Sequence, residues 1–405
     1  MRSGPRSPGL AARPENVPRG ASLASMASDA AGLARIRLET GRALARFLDG
    51  QRTVLAAVGP DLLPWIDSMT DLLAGGKRLR PAFCYWGWRA AGGEECPEIY
   101  AAAAALELLH ASALVHDDVM DASDTRRGKP AVHRQFAARP EAGDDPRAGA
   151  AFGAGAALLI GDALLGWTDE MFHRSGMPAE TLRQGQPVLD AMRTEVAAGQ
   201  YLDLVNQATA NDSVQSAMRV VTYKTAKYTV ERPLHLGAAM AGSPPPDLPG
   251  IPGGPQAGAQ PGTGPHPAAS AVARTCTEYG LPLGVAFQLR DDILGVFGDP
   301  AVTGKPVTGD ISEGKRTVLL ALAMERASKS QLRVLDRHLG DRQLTDAAAA
   351  EVRRVITETG ALAECETLIS ASVKEATSAL DGAPITGEAR AALTELAVLA
   401  AVRTE

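Results

Sequence analysis

Apolar residues recur three and four positions apart along most of the chain from Ala31 onward, the spacing that gives a helix one buried face. The pattern predicts helices over roughly 31–58, 61–74, 78–91, 97–121, 149–175, 178–209, 213–241 and 268–298, with several more from 313 to the end. Breaks fall where glycine and proline cluster, as at Gly75-Gly76 and Gly92-Gly93. Successive helices with short connections point to antiparallel neighbours in one bundle. The expected fold class is all-α.

Two stretches lack this periodicity. Residues 1–30, "MRSGPRSPGLAARPENVPRGASLASMASDA", carry Arg, Pro and Ser without an apolar run of signal-peptide length. They read as a disordered tail, with an Arg-rich organellar address as the alternative and Met26 as a second candidate start. Residues 242–267, "GSPPPDLPGIPGGPQAGAQPGTGPHP", are mostly Pro and Gly, a composition unable to bury a core. This is a loop insertion, either a lid or a tolerated surface excursion. The helices flanking it belong to the same bundle, so one helical domain spans 31–405.

Composition sharpens this picture in three ways. Of 405 residues 45% are hydrophobic but only 4% aromatic, which supplies a large core and favours helix over strand. The net charge of −6, with both signs interspersed, leaves no basic stripe for nucleic acid, so any polyanion must meet local cations. Cys84, Cys96, Cys276 and Cys365 form no CxxC pair, which argues against a zinc site or disulfide framework and for a reducing cytoplasm. No uninterrupted run of about 18 apolar residues appears, so no membrane span is expected.

Candidate chemistry concentrates in "LVHDDVMDASDTRRGKPAVH", Leu114–His133, which puts four aspartates in eight residues directly before Arg126, Arg127 and Lys129. On a helix Asp117 and Asp121 share a face, and like charges at that spacing repel unless a cation bridges them. Mg2+ suits carboxylate and phosphate oxygens; a solvated helix end is the plain alternative. A second acidic pair, Asp291-Asp292, ends an apolar helix in "FQLRDDILGVFGDP", where burial of carboxylates is costly unless they are paired or metal-bound. Cations stand in sets: Lys77, Arg78 and Arg80 after a diglycine, Lys224 with Thr225 and Lys227 in "YKTAKY", and Lys305 with Lys315 in a Gly-rich segment. Each set alone reads as a solvated face. Together with two acidic pairs they compose a metal-and-diphosphate site.

Six motifs stand in order: "GGKRLRP", "ELLHASALVHDDVMDASDTRRGKPAVH", "GQYLDL", "YKTAKY", "FQLRDDILGVFGD" and "GKPVTGDISEGKRT". In this the chain resembles the trans-isoprenyl diphosphate synthases of the polyprenyl synthetase family, from about residue 35 to the C-terminus apart from the insertion. The resemblance implies a large single-domain helical bundle around a central cavity, a homodimer, and three Mg2+ ions per active site. It implies Asp117, Asp121 and Asp291, with Asp292 less firmly, as metal ligands. Arg126, Lys224, Thr225, Gln288, Lys305 and Lys315 match positions that hold the allylic diphosphate. Lys77, Arg80, His110 and Arg127 match the pocket for isopentenyl diphosphate. Gln200 and Asp203 are expected to line the cavity, and His116, on another side of its helix, to be structural.

One position departs from the family pattern. The second motif reads "DDILG", with Gly295 where a last aspartate is usual, and Asp299 lies beyond the expected helix end. Asp291 and water are then expected to hold the third metal. The implied reaction is ionisation of the allylic diphosphate, attack by the isopentenyl double bond and loss of a proton, with Asp117, Asp121, Arg126, Lys224, Asp291 and Lys305 carrying it. Leu109, Ser112 and Ala113, toward the helix N-terminus from Asp117, set the tail's depth. Their small or aliphatic side chains predict a C20 geranylgeranyl product, with farnesyl or longer products as alternatives. A terpene cyclase has no use for a second diphosphate pocket, and a non-catalytic subunit is expected to lack metal ligands.

Overall fold

The computed structural model describes residues 23–243, 267–298 and 309–401, of which 23–31, 267–270 and 400–401 are described by backbone alone. Almost everything is helical. α1 (Leu23–Val58), α2 (Leu63–Leu73) and α3 (Leu79–Ala90) lead into α4 (Pro97–Met120). A two-stranded hairpin, Thr125–Arg126 with Lys129–Pro130, and the short α5 (Val132–Ala137) follow. The helical pattern assigns no element there. Then come α6 (Pro146–His173), α7 (Ala179–Ala208) and α8 (Val214–Val220), a π-helical segment (Val221–Glu231) and α9 (Arg232–Met240). α10 (Pro267–Phe297) precedes α11 (Gly309–Glu313), α12 (Val318–Arg326), α13 (Lys329–His338), α14 (Asp346–Glu358), α15 (Ala361–Ser378) and α16 (Gly387–Ala401). α1 begins at Leu23, ahead of the periodic region; residues 1–22 and 244–266, and Asp299 and Lys305 with them, lie outside the described residues.

α4 is the axis. It packs against α6, α1, α3, α2 and α5, and its Ala102–Ala105 run is fully buried. By length and composition both α4 and α6 could cross a bilayer, which the criterion of an uninterrupted apolar run does not anticipate. In α4 the bundle covers 72% of that stretch, so its apolarity is core; in α6 it covers only 33%. A second core forms around the C-terminal half of α10, where Ala286, Leu289, Ile293 and Val296 meet Val318, Leu319, Val355 and Ile369 of α12, α14 and α15.

Two local features position the site. α4 ends in a Schellman turn: Ser123 N donates to Asp118 O (3.0 Å) and Ala122 N to Val119 O (3.3 Å), with Ala122 at φ 50°. Asp121 is thereby the C-cap. Where the pattern reads one helix over 213–241, the middle third is instead wound as a π-helix, whose register neighbours dictate. Gly199 of α7 lets the Lys224 backbone approach so closely that an added Cβ would lie 2.3 Å from Lys224 N. On the other side Gly284 of α10 admits Ala226 in the same way, at 2.4 Å from its Cα. π-turns inside helices are rare and concentrate at functional sites.

Candidate active site

Asp117 and Asp121 close α4 beneath three cations. Lys224, from the π-segment, donates to Asp117 Oδ1 (3.0 Å) and to Asp203 Oδ2 on α7 (2.7 Å). Arg126, from the hairpin, forks onto Asp118 through Nε (3.0 and 3.2 Å) and Nη2, and its Nη2 lies 3.6 Å from Asp117 Oδ2. Lys315 Nζ stands 3.1 Å from Asp121 Oδ2, 2.8 Å from Glu313 Oε2 and 3.9 Å from Asp310 Oδ1.

The electrostatics follow from these contacts. Burial works to raise the Asp117 carboxyl, but Lys224, with Lys315 and Arg126 behind it, holds it down to about 2. Asp121 is pushed up, first by burial and then by the Asp117 charge. A carboxylate at the negative end of a helix dipole wants a cation. Burial also works against the charged form of Lys224, and Asp117 and Asp203 more than compensate.

The second acidic pair arrives from the end of α10. Gln288 Oε1 accepts from Thr225 Oγ1 (2.6 Å), and its Nε2 donates to Asp292 Oδ1 (2.7 Å). This chain links the π-segment to the second motif. Asp292 is 4% exposed, and burial pushes its carboxyl up to about 8, Asp310 and Asp291 adding to the effect. Lys315 Nζ stands between Asp121 (3.1 Å) and Asp310 (3.9 Å), and the Asp310 carboxylate lies against Gly295 of the second motif, so the two aspartate motifs converge on one region.

Do these residues fit a divalent cation? Among the described residues no three His, Cys, Asp or Glu side chains converge as they stand; ammonium groups of Lys224 and Lys315 lie between the carboxylates instead. Yet Asp121 Oδ1 and Asp292 Oδ2 are sealed from solvent without a hydrogen-bond partner, and Asp121 Oδ2 has only the Lys315 ammonium at 3.1 Å. Buried carboxylate oxygens left this way are costly, and oxygen donors of this kind are what Mg2+ takes. The donor set fits.

A second cationic cluster lies toward α3. Arg80 stacks over the Tyr228 ring (4.3 Å to the centroid) and donates to Thr229 Oγ1 (2.8 Å). His110 of α4 tilts against the same ring, centroids 6.2 Å apart. Burial holds the imidazole well below its usual range, Arg80 and Arg127 reinforcing it, and its Nδ1 has no partner. The Arg127 guanidinium lies beside the diglycine, 3.4 Å from where a Cβ on Gly76 would sit, and donates to Leu72 O (3.1 Å). Lys77 is exposed on the same loop.

Several sequence candidates turn away from both clusters. Arg78 points inward, paired with buried Glu107 at 2.5 Å. Lys227 faces Glu195 (3.1 Å) and Glu231 (3.6 Å). His116 packs on α6, its Nε2 3.3 Å from Leu158 O, in keeping with a structural role. Gln200 is half-buried with a sealed, unpartnered Nε2, while Asp203 is the second anchor of Lys224. Sequence reasoning missed Asp310 and Glu313, acids in a segment scanned for its lysines, and Arg342. The last donates to Asp121 O (2.7 Å) and Ala122 O (3.2 Å), capping the carbonyl end of α4 from 220 residues away.

A helical bundle that brings two aspartate pairs near the C-terminal ends of two helices together with two sets of cations fits a prenyltransferase, and comparison with known proteins agrees. The polyprenyl synthetase family model matches residues 64–250 and 262–358. The geranylfarnesyl diphosphate synthase of Aeropyrum pernix is 32% identical over 280 residues, 68% of this chain and 74% of that protein. The geranylgeranyl diphosphate synthase of Mycobacterium tuberculosis is 30% identical over 308 residues, covering 74% and 73%. The crystal structure of geranylgeranyl pyrophosphate synthase from Corynebacterium glutamicum, complexed with isoprenyl diphosphate and magnesium, superimposes with a TM-score of 0.81. It is 38% identical and covers 92% of this chain and 99% of that one. The chain belongs to the polyprenyl synthetase family and is a prenyltransferase.

Proposed function

We propose that the chain condenses isopentenyl diphosphate with allylic diphosphates by ionisation, condensation and elimination, using three Mg2+ ions and giving mainly C20 geranylgeranyl diphosphate. The observation that carries this is the coexistence of two cationic clusters, one around Asp117 and one around His110. One, Lys224, Arg126 and Lys315, stands over the carboxylates of the first motif; the other, Arg80, Arg127 and Lys77, lies beside His110 and the diglycine loop.

Asp117, Asp121 and Asp291 would hold the metal, with Asp292 in support. When bound, a divalent cation neutralises charge on the departing pyrophosphate. Lys224 and Arg126, now engaged by Asp117, Asp203 and Asp118, are poised to transfer to diphosphate oxygens once those carboxylates take another cation. Thr225 and Gln288 extend that donor row, and Lys305 and Lys315 belong to the following segment. In the second cluster Arg80, Arg127 and Lys77 bind isopentenyl diphosphate, and His110, kept neutral, offers a hydrogen bond without adding charge. The apolar bundle excludes water that would trap a carbocation.

Product length rests on α4. Leu109 and Ser112 are buried and Ala113 half-buried, and none of the three is aromatic, so the tail can run at least one turn, about 5.4 Å, beyond Asp117. The apolar outer face of α6, with Phe152, Leu158, Leu159 and Leu165 exposed, supports a homodimer. All four cysteines are free, which supports the cytoplasm. The test is incubation with Mg2+, isopentenyl diphosphate and each of the C5, C10 and C15 allylic primers, followed by chain-length analysis. Chains ending at C20 are expected; farnesyl diphosphate alone, or no condensation, would overturn the reading.

A further inference from the structure

The place of the missing aspartate in the second motif is filled from another element. A Cβ built on Gly295 would lie 1.9 Å from Asp310 Oδ2 and 2.6 Å from Asp310 Cγ. An aspartate at position 295 would extend its own carboxyl one bond beyond that Cβ, so the Asp310 carboxylate delivers an oxygen to the volume that side chain would claim. Gly295 lies one helical turn beyond Asp291 on α10, on the face a third carboxylate would share.

The Asp310 backbone is held there from several sides. Ile311 is fully buried, Lys315 N donates to Asp310 O (3.1 Å), and Gly340 N donates to Ile311 O (2.8 Å). Ser123, just past the first motif, donates to Glu313 Oε1 (3.0 Å). α11 is thus tied to the ends of both α4 and α10. Two further acids face the same region with unsatisfied atoms: Asp292, whose Oδ2 has no partner, and Asp121, whose Oδ1 has none and whose Oδ2 has only the Lys315 ammonium, each 4% exposed. An ammonium group, Lys315, answers this charge from 3.1 Å (Asp121) and 3.9 Å (Asp310).

We propose that Asp310 replaces the absent aspartate of the second motif and completes the carboxylate set for a divalent cation with Asp291 and Asp292. This rests on the diphosphate-synthase reading of the site and differs from the expectation that Asp291 and water alone suffice there. The glycine at 295 is then a requirement, since a side chain would evict the Asp310 carboxylate.

The test separates this from that reading. Mg2+ is titrated calorimetrically into the full chain in the presence of inorganic pyrophosphate, which no catalysis consumes. Asp310→Ala should weaken Mg2+ binding by about 10–100-fold, the range for groups that support metal ligands, with the metal-free melting temperature recording whether it folds. Gly295→Asp alone should also weaken it. The exchange Gly295→Asp with Asp310→Ala should recover affinity to within about threefold of the parent, because one carboxylate again occupies one space. Should Asp310→Ala fail to fold, isosteric Asp310→Asn carries the same expectation. Parental affinity in the Asp310 variants, or an exchange variant as weak as Asp310→Ala, overturns the proposal. If the parent binds Mg2+ and Asp117→Asn does not, such a result sinks Asp310 alone; if the parent binds none, the reading of the site falls with it.

Discussion

Lys224 Nζ lies 3.0 Å from Asp117 Oδ1 and supplies the positive charge that a metal would otherwise bring to that carboxylate. The pairing is two-edged: it neutralises a buried carboxylate, yet it competes with the cation the carboxylate is there to take. Lys224→Met should accordingly move two measurements in opposite directions. Metal affinity without substrate should rise, because Asp117 loses its competitor. Turnover should fall by about 100-fold or more, the cost of removing one preorganised donor to developing charge. Titration calorimetry and steady-state kinetics on the same preparation check both, and a joint fall in affinity and rate would mean that Lys224 merely supports the fold.

Asp292 gives the site a pH signature. Burial, with Asp310 and Asp291 nearby, lifts its carboxyl from the ordinary 3.8 to about 8, so the folded, metal-free chain holds a proton that the unfolded chain releases. The sign follows: this contribution to stability is full below about 3.8 and is lost as pH rises through about 8. Metal must then displace that proton. Near pH 7 binding should release about one proton, seen as buffer-dependent heats, and affinity should climb until about pH 8. Asp292→Asn should flatten both dependences.

How far the sequence carries depends on whether a feature is local. The spacing of Asp117 and Asp121 places them on one face of a helix whatever surrounds it, and the 3.6-residue pattern outlines α4, α7 and α10 within a few residues. The π-helical winding of Val221–Glu231 is invisible because it answers to Gly199 and Gly284 on two other helices. Pairings such as Arg126 with Asp118 compete with every other cation nearby, and only the fold decides that Arg78 turns inward while Arg80 does not. Asp310 and Arg342 escape notice for the same reason: neither belongs to a local pattern, and each gains its meaning from an element far away in the chain.

The proposed path of the tail along α4 can be blocked deliberately. Ser112 is 3% exposed on α4, five residues before Asp117, where an aromatic ring would extend into the path of a growing chain. Ser112→Phe should shift the proposed C20 product toward C15 while the first condensation keeps its rate within about threefold. The added volume is also expected to cost about 1–3 kcal/mol of stability through overpacking. Radiolabelled product analysis reads the first effect and thermal unfolding the second. Unchanged chain length would mean that the tail takes a path away from this face of α4.

The outer face of α6 is the candidate surface for the proposed homodimer. Leu159 is 62% exposed and Phe152, seven residues earlier, 41%; two helical turns separate them, so they share a stripe. With Leu158 and Leu165 beside it, the stripe is the sort of patch that soluble chains keep covered. A two-fold interface would cover it with the same stripe of a second copy, each leucine meeting its symmetry mate or a near neighbour. Leu159→Glu would then set like charges close together in an apolar setting, a penalty counted twice per dimer. Sedimentation should record a shift from dimer to monomer at micromolar concentration, and Leu159→Met should stay dimeric. A chain that remains dimeric with glutamate at this position would locate the interface elsewhere and leave the α6 face to another occupant.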